Sequence, residues 1–173
     1  DKIVNLMIDK SGRYSWYLDV LLSLARGLPD ADSSAAVKIM RKLVDVTPTG
    51  YLLILYSGAQ GRERRALELA SLKAELSQET SMVAFHHALV QLLAELAAGL
   101  ANEVEMLVQS IVPLHEVCAH ICDAFCPYAI RASFLVLLLE GYTVTALKVQ
   151  SLVQSTAVWQ VIAIFSAELK SLL

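Results

Sequence analysis

Apolar residues recur along this chain at intervals of three and four, as in Leu18, Leu21, Leu22 and Ala25, or Phe85, Leu89, Leu92, Leu93 and Leu96. That spacing puts side chains on one face of a 3.6-residue helix. Alternating strand patterns are almost missing. The only β-leaning stretch is residues 51–56, between Gly50 and Gly58, and its neighbours suit a short helix equally well. The pattern predicts an all-α fold.

Breakers and caps divide the pattern into about ten helices. The first runs to about Asp9, and the second spans residues 14–26, stopped by Gly27 and Pro29. Asp32, Ser33 or Ser34 caps a third that reaches Val46. Thr47 and Pro48 open a short helix to Tyr56, and residues 62–76 form a charged one. Ser77 or Ser81 caps a long helix ending near Gly99, and Asn102 starts the next, to about Ser110. Pro113 and Pro127 suit the first turns of helices over residues 114–125 and 128–140, since a first-turn residue has no intrahelical N–H bond to lose. Gly141 ends the latter, and residues 145–153 and 155–173 complete the set. Short connections between helices of this length are typical of a helical solenoid or an irregular bundle. The whole chain reads as one helical domain, although no strict internal repeat is visible.

Composition sharpens this picture. Hydrophobic residues make up 56% of 173 and charged ones 18%, with a net charge of -3, which excludes a disordered segment and a basic nucleic-acid arm. A membrane span needs roughly 20 apolar residues in a row. The longest apolar runs, 132–139 and 157–167, fall short and are expected to be buried core helices. Three cysteines do not make a disulfide framework, so a reducing, cytosol-facing environment is expected. The chain opens at Asp1 within a helical pattern, as a piece of a longer protein would.

Candidate chemistry is sparse. His115, Cys118, His120, Cys122 and Cys126 have the side chains of a zinc site, but Cys118, Cys122 and Cys126 would fall on one helical stripe, where free cysteines pack as small hydrophobes. His86 and His87 point about 100° apart on a helix; one is expected to pack and the other to meet solvent. Arg62, Arg64 and Arg65 follow Gly58 and Gly61 at a helix start and suit an anion, yet the interleaved Glu63, Glu68 and Glu75 fit a solvated face as well. Tyr128 and Arg131 sit on the first turn of a very apolar helix, where Arg131 is expected to have a structural role, such as anchoring the preceding loop through a carboxylate like Asp123. No nucleophile elbow, zinc-protease helix, phosphate loop or dinucleotide fingerprint occurs. Neither enzyme activity, a cofactor nor a metal is expected.

The run Pro127-Tyr128-Ala129-Ile130-Arg131-Ala132-Ser133-Phe134, followed by Leu135, Leu137 and Leu138, resembles a segment of the inositol trisphosphate and ryanodine receptors. There a Pro-Tyr-x-x-Arg-Ala-Ser-Phe run opens an apolar helix in the helical domain the two receptor types share. Upstream, Tyr17-Leu18-Asp19-Val20-Leu21-Leu22-Ser23-Leu24 is similar to the family's aromatic-Leu-Asp entry into a Leu-rich helix, and residues 85–96 to its long helix before the Pro-Tyr element. The resemblance covers about residues 3–142.

What the resemblance implies is an armadillo-like, RIH-type block of a tetrameric calcium-release channel, on the cytosolic face of the endoplasmic reticulum or another calcium store. Its partners would be neighbouring domains of the same channel. Inositol trisphosphate would bind the parent outside this segment, because no basic residue here matches a ligand-contact motif of the family. Pro127, Tyr128, Arg131, Ala132, Ser133 and Phe134, with Leu18 and Asp19, would be framework residues. The expected role is to relay ligand-induced domain motion to the pore, without nucleic acid and without direct membrane contact. An α-solenoid scaffold for an unrelated partner is the competing expectation.

Overall fold

A computed structural model of the chain describes residues 15–27, 33–46, 82–99, 102–124, 126–144 and 150–171. These form eight α-helices: α1 (Ser15–Arg26), α2 (Ser33–Val46), α3 (Met82–Ala97), α4 (Asn102–Ile111), α5 (Leu114–Cys122), α6 (Tyr128–Leu138), α7 (Gln150–Gln154) and α8 (Thr156–Lys170). A π-helical turn, Leu139–Thr143, extends α6. No strand occurs among the described residues, so the fold class is all-α. The expected helices before Asp9 and over residues 47–56 and 62–76 lie outside the described residues, as do Arg62, Arg64 and Arg65.

The helices are ordered by how much of their circumference is apolar. α3 is apolar nearly all round, and Val83, Phe85, Ala88, Leu89, Val90, Leu92, Leu93, Leu96 and Ala97 are all buried. A helix of that kind belongs at the centre. Around it pack α1, α4, α6 and the π turn. The principal contacts run α1 to α3 to α6 to α5 to α8, with α2 seated on α4 at the flank. α2 shows the one-sided pattern of a flanking helix: Ala36, Met40, Leu43 and Val46, spaced four, three and three apart, are its buried residues.

Local chemistry sets the helix ends. Pro113 and Pro127 take the N-cap positions of α5 and α6, with ψ of 148° and 141°, one residue before the expected first turn. The Pro127 carbonyl then receives the N–H groups of Ile130 and Arg131, at 3.0 Å each. α5 stops at Cys122, three residues short of its expected end, because Asp123 turns extended at ψ 112°. Cys126 is therefore not on the helix of Cys118 and Cys122, and the expected three-cysteine stripe is broken.

Gly141 does not end a helix either. The chain continues through it as the π turn, with the Val144 N–H reaching the Leu139 carbonyl at 2.8 Å and Thr143 Oγ1 the Leu138 carbonyl at 3.0 Å. Tyr142 donates its hydroxyl to the Val112 carbonyl, and Gln109 Nε2 donates to the Gly141 carbonyl at 2.9 Å. These bonds tie the turn to α4 and the residue after it, and they satisfy carbonyls that the wider π spacing redirects.

The apolar run 157–167 departs furthest from expectation. It forms most of α8, but Val161 is that helix's only buried residue, and Trp159, Ile162 and Leu169 are exposed. No helix among the described residues is long and apolar enough to cross a membrane.

Candidate functional site

The Pro-Tyr-x-x-Arg-Ala-Ser-Phe run occupies the first two turns of α6 and acts as a junction. Pro127 fixes the entry angle. Tyr128, next in sequence, extends into solvent at 81% exposure and has no part in the packing. Arg131 is mostly covered and reaches two other helices. Its Nε donates to the Ile121 carbonyl at the end of α5, 2.9 Å away, and its Nη2 meets Glu168 of α8 at 3.1 Å. The guanidinium also lies over the Phe165 ring, 5.6 Å from its centroid. The anchoring carboxylate is thus Glu168 rather than the suggested Asp123, and the end of α5 is held through the Ile121 carbonyl. A carbonyl left without partners at a helix C-terminus accepts a planar donor well.

Two turns of α6 then face α3. Ser133 donates its hydroxyl proton to the Ala129 carbonyl at 3.1 Å, while its oxygen lies 2.9 Å from His87 Nε2. With that one proton committed, the ring N–H is the donor to Ser133. The pair is a tether between α3 and α6, and an imidazole donating through Nε2 is not poised to take the serine's proton. Burial depresses the His87 pKa below 6.5, against the Ala129 carbonyl and the Asp19 carboxylate, which raise it.

Phe134 is fully buried and stacks on the His120 ring, with centroids 4.2 Å apart; His86 tilts against it at 5.6 Å. His120 Nδ1 is 2.7 Å from the Glu116 carbonyl one turn earlier. As expected, His86 and His87 point apart and His86 packs. His87 is tethered to Ser133 instead of simply meeting solvent. Leu18 is fully buried in α1, and Asp19 is exposed beside it, near enough to His87 to act on its charge.

The candidate metal ligands do not converge. His115 is 72% exposed with Glu116 at 3.5 Å, whereas His120 is committed to Phe134 and to backbone. Cys118, Cys122 and Cys126 form no disulfide, and among the described residues no group of three His, Cys, Asp or Glu is placed to hold a metal. Burial pushes the Cys118 thiol up to about 11, with Cys122 adding to the effect. The Cys122 thiol is raised by burial too, in opposition to the Arg131 charge.

Beside the junction, a cavity of about 510 Å³ lies between α3 and α6, with Arg26 of α1 in its lining. Ala94 of α3, Ala98 just past its end, and Ala129 and Ala132 of α6 give it a floor of methyl groups. His87, Gln91, Glu95, Ser133 and Glu140 supply its polar rim. Arg26 and Glu95 pair at 3.3 Å. With two carboxylates against one guanidinium, the lining does not suit a polyphosphate. Sequence reasoning singled out Arg131 and Ser133, but missed Glu168, Phe165, Gln91 and Glu140. These lie on α8, α3 and the π turn and carry no local signal of their own. The chain matches no family model, and no curated protein matches it.

Proposed function

We propose that this chain is a non-catalytic helical coupling block, an armadillo-like module of an inositol trisphosphate-gated calcium-release channel that passes domain motion towards the pore. One observation carries the reading. The residues that resemble the receptor run tie four helices at a single junction: Arg131 joins α6 to α5 and α8, Ser133 joins it to α3, and Phe134 fills the space between. A block that transmits displacement must move as a unit, and a cross-helix tether gives packed helices that property.

The test is made in the full-length parent protein. Arg131→Ala is expected to leave inositol trisphosphate binding unchanged while shifting ligand-evoked calcium release to higher ligand concentration by about threefold to tenfold, the size of an ordinary coupling energy. Arg131→Lys keeps the charge but loses the planar fork and should fall between. Unchanged release from a folded Arg131→Ala channel would overturn the reading, as would a parent that neither binds inositol trisphosphate nor conducts calcium.

A partner-binding scaffold unrelated to a channel is the second reading, favoured by the exposed apolar residues Trp159, Ile162 and Leu169 on one stripe of α8. It predicts that Ile162→Glu abolishes partner capture without affecting calcium release.

A further inference from the structure

We propose that the cavity between α3 and α6 is a binding site for a small organic cation, an ammonium or guanidinium carried on a short apolar body. Its volume of about 510 Å³ lies within the ordinary size of small-molecule sites. The alanine methyls offer apolar surface, and polar groups share the lining, the combination by which a site grips one end of a ligand and desolvates the other.

The charge of the lining selects the ligand. Arg26 and Glu95 neutralise each other across 3.3 Å. His87 spends its Nε2 proton on Ser133, and its burial keeps the ring neutral near pH 7. Glu140, half-buried where α6 passes into the π turn, has no basic partner among the described residues, and the Gln91 side-chain amide of α3, in the same lining, makes no hydrogen bond to any of them. What remains is an uncompensated carboxylate, an amide with a carbonyl oxygen to offer, and a histidine whose second ring nitrogen is an acceptor. An N–H-bearing cation at Glu140, with its apolar body along the alanines, is suited to this lining, whereas an anion would meet Glu140 unscreened. The inference rests on this cavity alone and does not require the channel reading.

Three probes of one shape but different charge test it on the 173-residue chain: phenethylamine, 2-phenylethanol and phenylacetate. Binding is followed by titration calorimetry and by NMR shifts of the Gln91 side-chain amide and the Ala98 methyl. Phenethylamine is expected to move both signals and to bind at least about tenfold more tightly than the alcohol, with phenylacetate weaker still. Glu140→Gln should remove that tenfold preference but leave the fold intact by circular dichroism, and Ala132→Leu, which fills the floor without changing charge, should weaken all three probes. Equal binding of amine and alcohol, shifts confined to other residues, absence of binding, or full amine affinity in a folded Glu140→Gln chain would each overturn the proposal.

Discussion

At the scale of single residues, a charge in the wrong place was the most legible signal. Arg131 in an otherwise apolar helix announces a tether, and it makes one. Its partners were not legible, because Glu168 lies 37 positions downstream and the Ile121 carbonyl has no sequence signature at all. His86 and His87 show the same limit. Helical geometry separates their directions, but only the packing of α6 against α3 gives Ser133 to His87. That tether carries a pH dependence whose sign is fixed. With a folded-state pKa below 6.5, His87 binds fewer protons in the native than in the unfolded chain as pH falls through 6.5, so acidification removes stability across that window until the folded-state pKa is passed. Chemical unfolding at pH 7 and pH 5.5 should show a loss that is smaller in His87→Gln. An equal loss in both proteins would place the acid sensitivity elsewhere.

At the scale of elements, the helical period and the breakers locate helices well and their ends less well. Residues 14–26 became Ser15–Arg26, and the expected start at Asn102 is the observed one. Proline suits a helix's first turn, but its extended ψ makes it a cap at both Pro113 and Pro127. Glycine misled in the other direction. Gly141 was expected to stop α6 because glycine commonly does, yet its backbone there is not left-handed and the tertiary bonds of Tyr142 and Gln109 carry the chain on. A glycine inside a helical segment with no need for its freedom costs stability relative to alanine. A Cβ at position 141 would sit 3.6 Å from both Leu137 and Val108, in ordinary contact. Gly141→Ala is therefore expected to stabilise the protein by about 0.5–1 kcal/mol and raise its Tm by roughly 1–4 °C. A drop in Tm on calorimetry would mean that the π turn needs a conformation only glycine reaches.

At the scale of the whole molecule, amount of apolar surface and depth of burial part company. α3 and α8 read alike in sequence as apolar helices without charged interruptions in their middle turns, and no local rule ranks one above the other. Position in the packing does. α3 is enclosed by four elements, whereas α8 is held chiefly by α5 and by the Arg131–Glu168 pair. Its stripe of Trp159, Ile162 and Leu169 is left to solvent in the single chain. Both of the protein's tryptophans report on this, since Trp16 is 44% and Trp159 56% exposed. The folded chain at low concentration should emit with the red-shifted spectrum of hydrated indole and be quenched by acrylamide nearly as readily as the unfolded one. If copies associate through the α8 stripe, raising the concentration should protect Trp159 and not Trp16, a distinction that Trp16→Phe and Trp159→Phe variants make directly. Blue-shifted, quencher-resistant emission from both residues in a dilute monomer would contradict this arrangement of α1 and α8. Protection of Trp159 alone would instead locate a contact on the exposed apolar stripe of α8.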